Sequence, residues 1–571
     1  MKLTTNSKRL GVFIFFDKDN IIDDYVIYML NSLNEAVDNI LFISNSKIID
    51  SELKKLDKYN IDISIRENKG LDAGAFKFAY DKYGSEYFKQ YDEVILMNDT
   101  FFGPFKPFKE IINSMNDRDL DFWGLTANYD SEDGTGKAID GYIHSHIQTY
   151  FVAFRKSVLV SDFFNDYWNK YKIEKNNSFV DVVNNHESYF TYRLEQAGFK
   201  WDTYIDLSHY KNDDYEYNYN IYGYSSYTLL NNYNCPFIKR KNFVFNKQEA
   251  LYLNCGVDTS KSLEWIKNNT DYDINMIYKN IVRLYDPVDI YQSLNMNYIV
   301  NESNNNNDKK CLLLCDIENI DAYDIVKNRI DSLKNIDVKL VSNKYNDIAG
   351  VEYYESIIEY LKKNDFSKKY DYICAIVIDS NKDNFSEVYD SNNIRTIDNA
   401  VYSDKYINGV IDIFEKNNYV GVLCLPESLH NRYIMNATGK ILSNYKNLVI
   451  TDKNYDNTKY MIKSFNGVWF KSELLNNIPS QINSIKDMIG VSECLLNNSN
   501  YLIGKIYNSE YIKNDILSLE IIYKAYINSD KLELSFPNRM LVVGRTSLLR
   551  RIFRKVVPLE IRKRLKKIFK I

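Results

Sequence analysis

At 571 residues the chain is too long for one hydrophobic core and predicts two to four domains. Its 45% hydrophobic content excludes a disordered chain, and a formal net charge of -5 gives the body no electrostatic footprint for nucleic acid. The seven cysteines are odd in number and form no CxxC pair, which argues against a disulfide or metal framework and for reduced thiols.

The elements in chain order alternate. Val12–Phe16 reads as a short buried strand, followed at once by Asp17, Lys18 and Asp19, too short and too charged for a signal peptide. Asp24 to Leu33 has helical spacing, Ile40–Ile43 and Ile61–Ile65 read as strands, Ala73–Lys82 as a helix and Val94–Met97 as a fourth strand. Such alternation predicts an α/β domain with a mostly parallel sheet, whose ligands lie beyond the carboxyl ends of the strands. Asp17, Ser44, Asn45, Asn98 and Asp99 all fall at such ends.

The Asn-rich run 301–308 (NESNNNND) reads as an interdomain linker. After it the pattern restarts. KRLGVFIFFDKDNIIDDY has a counterpart in KKCLLLCDIENIDAYD, with Asp17 matching Asp316, and YDEVILMND in YDYICAIVID, with Asp99 near Asp379. HESYFTYRL is faintly echoed by VSECLL, with Glu187 near Glu493. The expected organisation is a first domain over 1–300 with a helical extension from about 240, the linker, and a second α/β domain over 309–540. The last segment, 541–571, is a basic amphipathic helical tail split by Pro558, suited to an in-plane anchor on anionic lipid. No apolar stretch is long enough to span a bilayer. The expected location is cytoplasmic, peripheral at the inner face of the plasma membrane.

Three clusters carry chemistry. In ENKGLDAGA, between a strand and a helix, Asn68 lies in the turn, and Gly70 and Gly74 permit a tight bend and close backbone approach. The helix start beyond it favours an anion, and Asp72 suits hydrogen bonds from a ribose or base. MNDTFFGP follows the fourth strand, where Asp99 is the only carboxylate beside the neutral donors Asn98 and Thr100. A weak Mg²⁺ or Mn²⁺ site on Asp99 is one reading; metal-independent stabilisation of a leaving group by Arg66 or Lys69 is the other. The third cluster runs from Tyr142 to Gly198 and holds His144, His146, Gln148, His186 and Glu187. HxH is a metal-ligand pattern, but no third ligand has matching spacing. The other readings are polar residues of a cleft wall, or a catalytic carboxylate with histidines touching sugars.

ENKGLDAGA, YDEVILMNDTFFGPF, HSHIQTYF and HESYFTYRLEQAGF, in this order, resemble the rhamnan-synthesis F family over roughly residues 10 to 300. That resemblance implies a GT-A-like glycosyltransferase domain; the repeated pattern behind it reads as a second GT-A-like domain, either a second transferase or a degenerate copy that grips the acceptor, with the degenerate copy preferred. The resemblance further implies a nucleotide-sugar donor such as dTDP-L-rhamnose, and an acceptor that is a growing, undecaprenyl-linked or otherwise lipid-linked cell-surface glycan. Transfer would invert the anomeric carbon. On the family template Glu187 would be the base, with His186 its rival. Asp17, Asn68, Gly70, Asp72, Gly74, Asn98 and Asp99 would hold the donor, and His144, His146 and Gln148 the sugars. A transferase for another hexose and a non-catalytic glycan-binding component are the alternatives.

Overall fold

The computed structural model describes residues 2–132, 138, 141–173, 178–208, 222, 225–243, 257–285, 290–291, 293–305, 308–379, 386–426, 467–490, 492–496 and 499–512. These divide into two compact units. The first takes in Met1–Phe245 and Lys261–Ile277, and the second Asn246–Ser260 and Tyr278–Glu533. No helix among the described residues is long and apolar enough to cross a membrane. The basic tail of 541–571 lies outside the described residues.

The first unit is an open sheet of seven strands. They are β1 (Arg9–Phe15), β2 (Asn39–Ser44), β3 (Ile61–Ile65), β4 (Glu93–Asn98), β6 (Phe122–Gly124), β9 (Phe151–Arg155) and β10 (Trp201–Thr203). Across the sheet the order is β3-β2-β1-β4-β9-β6-β10, and β9 alone runs antiparallel to its neighbours. Every residue of β1 and β4 is buried, as continuous apolar runs covered on both faces require. Helices α1 (Asp24–Asn34) and α2 (Leu71–Tyr83) connect the parallel strands, within two residues of the predicted spans. Short ribbons lie beyond the sheet: β5 (Phe101–Phe102) pairs with β11 (Ile238–Lys239), and β7 (Ala127–Asn128) with β8 (His146–Ile147). At the amino ends of β1 and β4, Glu93 accepts from Arg9 Nε (3.0 Å) and Trp123 Nε1 (2.9 Å), and Arg155 Nε lies 3.4 Å away. All four side chains are buried, and the network leaves the opposite sheet end to carry the site.

The second unit holds eight strands: β12 (Asn297–Val300), β13 (Cys311–Ile317), β14 (Asp337–Ser342), β15 (Val351–Tyr353), β16 (Tyr372–Ile378), β17 (Val420–Cys424), β18 (Gly467–Lys471) and β19 (Leu502–Asn508). Their order is β15-β14-β13-β16-β18-β17-β19-β12, with β18 alone antiparallel to its neighbours. The α/β architecture expected from the sequence is thus present twice. One boundary differs. The Asn-rich run does not separate the units, because β12, which precedes it, already belongs to the second sheet. Ser303 N donates to Lys405 O within that unit. A polar composition signalled a loop correctly, but a loop internal to a domain reads the same as one between domains. Six cysteines are described, and all are buried.

Candidate functional site

The site is built at the carboxyl ends of β1, β2 and β4. Gly70 (φ 69°) and Leu71 (φ 52°) both adopt left-handed backbone, a strained pair at the start of α2. At Gly74 a Cβ would stand 2.1 Å from the Lys69 carbonyl oxygen, so only glycine lets the helix begin against its own approach loop. Arg66 braces this loop, donating to Asn45 Oδ1 (2.6 Å) and Lys69 O (2.5 Å), while Lys69 pairs with Glu67 (2.8 Å). Arg66 and Lys69, the sequence's metal-independent alternative, are thus engaged with this loop and with Asn45 and Glu67. Asn68 is exposed and is not brought to the site.

The tight turn delivers Asp72 to β4, where Asn98 Nδ2 donates to its Oδ2 (3.3 Å). The Thr149 hydroxyl reaches Asp72 Oδ2 (3.4 Å) and donates to Glu187 Oε2 (2.9 Å), linking carboxylates that are 115 positions apart in sequence, 187 less 72. Glu187 is the last residue of a π-turn, Val183–Glu187, set between a short helix starting at Phe179 and α4 (Ser188–Gln196). The helix therefore starts eight residues before the predicted position near Glu187, and the π-turn aims the carboxylate, as such turns do at functional sites. Burial would raise the pKa of Glu187, but the His146 imidazole (Nε2 to Oε1, 3.6 Å), the Lys239 charge and Thr149 outweigh it. They hold the group below its ordinary value. Asp72 goes the other way. Burial, then the charge of Glu187, pushes it up to about 6. Paired carboxylates driven apart in this way are a sign of a working site.

His186 does not compete for the proton. Its ring is buried and stacks on Phe190 (5.3 Å, 19°), and Nδ1 bonds the Tyr167 hydroxyl (2.7 Å). Burial pushes its pKa down to about 4. The structure corrects that candidate: His186 belongs to the aromatic core. His144 stacks flat on Tyr192 (3.8 Å, 7°), and its carbonyl oxygen lies 2.6 Å from His146 Nδ1. Of the pair, only His146 is placed against Glu187. The Gln148 side-chain oxygen accepts from Thr126 (2.9 Å), so that amide is tied into the wall.

Asp99 is buried and already held. Tyr25 OH donates to Oδ2 (3.1 Å), and Arg240 Nη1 lies 3.3 Å from the same oxygen. Burial nevertheless holds its pKa above the ordinary value against the pull of Arg240. Asp17, also buried, accepts from the amides of Asp19 (2.9 Å) and Ile21 (3.1 Å) and adds its charge near Asp99. No group of three acidic, histidine or cysteine side chains that could hold a metal occurs among the described residues. The donor set does not fit a divalent cation, because its central carboxylate carries a guanidinium.

Lys239, Arg240 and Lys241 escaped the sequence reading. The strand pairing of Lys239 with Phe101 and the Arg240 N–H to Thr100 O bond (3.0 Å) lay them beside the MNDTFF segment. Lys239 Nζ rests 4.2 Å from the centre of the Tyr150 ring. Burial, then Lys241, pushes the Lys239 ammonium down to about 7, and burial lowers Lys241 as well.

With this geometry in view, the comparisons with known proteins decide the family. Residues 40–340, more than half of the chain, match the family model described as rhamnan synthesis protein F. The chain belongs to the rhamnan synthesis protein F family. It is a glycosyltransferase, and the open sheet with one antiparallel strand is of the α/β class expected from the sequence. No curated protein matches. Among solved structures, the mannosyltransferase Ktr4p from S. cerevisiae in complex with GDP is 9% identical, covering 35% of this chain and 72% of that one at a TM-score of 0.25. The mannosyltransferase PcManGT from Pyrobaculum calidifontis, in complex with GDP-Man and Mn²⁺, is 8% identical, covering 36% and 56% at 0.24. The 4-diphosphocytidyl-2C-methyl-D-erythritol synthase from Anaerococcus prevotii is 15% identical, covering 35% and 87% at 0.24. These scores are too low to carry a residue-level correspondence.

Proposed function

We propose that this family member transfers a deoxysugar, L-rhamnose from dTDP-L-rhamnose or a related donor, to a hydroxyl of a growing cell-surface glycan. The observation that carries the reading is the Asp72–Thr149–Glu187 bridge at the mouth of the sheet, with Glu187 held ionised. Glu187 takes the proton of the acceptor hydroxyl as its oxygen bonds the anomeric carbon. The bond from that carbon to the diphosphate oxygen breaks, and its electron pair leaves with the nucleoside diphosphate. Attack opposite the leaving group inverts the anomeric carbon through an oxocarbenium-like transition state. Asp72 and Asn98 hold the donor, with Gly70 and Gly74 letting the backbone approach it, while His146 keeps Glu187 in place.

The acceptor in this reading is a lipid-linked glycan, such as an undecaprenyl-linked chain. The reaction is set at the inner membrane face through the basic segment 541–571, on sequence grounds alone. The second unit is read as a degenerate copy that does not turn over donor. Release of nucleoside diphosphate from a panel of sugar nucleotides, with a glycan acceptor supplied, tests the reading. One donor should be consumed by the wild type, and Glu187→Gln should lose roughly 10²–10⁴-fold in rate while still binding nucleotide. Equal rates in the variant would remove Glu187 from the chemistry. Silence with every donor, lipid-linked acceptors included, would favour the glycan-binding alternative.

A further inference from the structure

A leaving diphosphate needs positive charge, and the carboxylate expected to recruit it as a metal ion is engaged. Asp99 Oδ2 lies 3.3 Å from Arg240 Nη1 and accepts from Tyr25, whose hydroxyl also receives Arg240 Nη1 (2.5 Å). The guanidinium thus stands where a divalent cation would have to bind. A planar, permanently charged group is the side chain best suited to that exchange, because it satisfies a carboxylate without giving up its charge.

On either side of Arg240, Lys239 and Lys241 are half-buried, and both interact electrostatically with Glu187. Lys239 is held from behind by the faces of Tyr150 (4.2 Å) and Tyr222 (5.7 Å), which fixes its ammonium without neutralising it. Tyr222 is itself fixed by donating to Ala127 O (2.8 Å). Burial pushes both groups down, and Lys241 adds to this at Lys239; a diphosphate arriving beside them would add its negative charge to that of Glu187 and favour their charged forms. The ribbon of β5 and β11 presents these groups directly after the Asn98–Asp99 corner.

We propose that Lys239 and Lys241 bind the diphosphate of the donor and take up the charge that develops on it, with Arg240 occupying the cation position at Asp99. The inference rests on the transferase reading above and names the part of the site that makes it independent of metal. Binding of the leaving products GDP, UDP and dTDP to the full-length protein, measured by calorimetry in EDTA and in Mg²⁺ or Mn²⁺, tests it. At least one nucleoside diphosphate should bind equally well in EDTA, and Lys239→Gln and Lys241→Gln should each weaken it about ten-fold, the equivalent of 1.4 kcal/mol. Both variants leave the Arg240–Asp99 pair intact, and their melting curves report whether they fold. Asp99→Asn separates the alternatives. A metal site loses nucleotide with that carboxylate, whereas a cationic site keeps it. Binding that requires the divalent ion, or lysine variants that fold and bind as the wild type does, would overturn the inference while leaving the transferase reading intact. Failure of the wild type to bind any nucleoside diphosphate in either condition would overturn both.

Discussion

Asp72 lies where function and stability pull in opposite directions. Its carboxyl has an ordinary value of 3.8 and is pushed up to about 6, first by burial and then by Glu187. The Thr149 hydroxyl, 3.4 Å from one carboxylate and 2.9 Å from the other, keeps the two within about 6 Å, where like charges at an effective dielectric near 20 repel by about 3 kcal/mol or more. A group raised in the folded state contributes stability below its unfolded value and loses it as pH rises through the folded one. Asp72 therefore costs stability above about pH 6. Its upward shift, about two units, corresponds to about 3 kcal/mol, which solvent at the half-buried side chain trims to about 1–2 kcal/mol. Asp72→Asn keeps the size of the group and abolishes the charge. At pH 8 the variant should melt about 2–8 °C above the wild type, taking 2–4 °C per kcal/mol for a domain of this size. The advantage should shrink as pH falls through 6 towards 4, while affinity for donor nucleotide drops. Scanning calorimetry of both proteins between pH 4.5 and 8 reads it directly. A variant that is less stable at pH 8 than in acid, relative to wild type, would refute the opposing-carboxylate account.

Three other outcomes follow from the packing. Glu93→Gln leaves Arg9 and Arg155 facing each other without their buried counter-charge and should cost about 3–5 kcal/mol in denaturant titrations. His186→Leu should retain turnover within about ten-fold while losing about 1–3 kcal/mol of stability from the unpaired Tyr167 hydroxyl, a split that a proton-transfer role would reverse. Lys486→Met removes the partner of Asp379 (2.6 Å) and Glu318 (3.0 Å) in the second unit. It should cost about 1–3 kcal/mol with no change in nucleoside diphosphate release, the result that the proposed degenerate second unit requires.

The strands and helices around the site were legible because continuous apolar runs and helical spacing are local signals, and the turn ENKGLDAGA announced itself through glycines that the backbone requires. The cationic part was not legible. Arg240 meets Asp99 across 141 positions, through a ribbon of two residues on each side, and no local periodicity reports such a pairing. The assignment of His186 failed for a related reason. Adjacent residues at a helical turn point about 100° apart, so a motif that reads His-Glu cannot say which of them faces the cleft. Here the π-turn delivers Glu187 and leaves its neighbour in the aromatic core.

The two sheets also show why one sequence motif does not make two sites. Lys8 O accepts from Asp92 N and Lys310 O from Asp371 N, each at 2.8 Å, so Lys8 and Lys310 are equivalent. Each lysine N–H in turn finds the aspartate carboxylate, at 2.8 Å and 2.9 Å. Strand order and the single antiparallel strand then agree over seven strands, with β12 the eighth strand of the second sheet. On this register Asn98 and Asp99 correspond to Val377 and Ile378, and Asp17 to Asn319, which caps the next helix by accepting from Ala322 N (2.9 Å). The matches of Asp17 with Asp316 and of Asp99 with Asp379 suggested by sequence are displaced by three residues and by one. Asp316 stands inside a strand, in the place of Ile14, where burial pushes it up to about 7 and Tyr354 donates to one of its oxygens (2.8 Å). Asp379 and Glu318 share Lys486. The acids retained in the second unit are thus spent on one another's neighbours. A strand end that offers valine and isoleucine where the first offers asparagine and aspartate lacks the polar corner that donor binding needs.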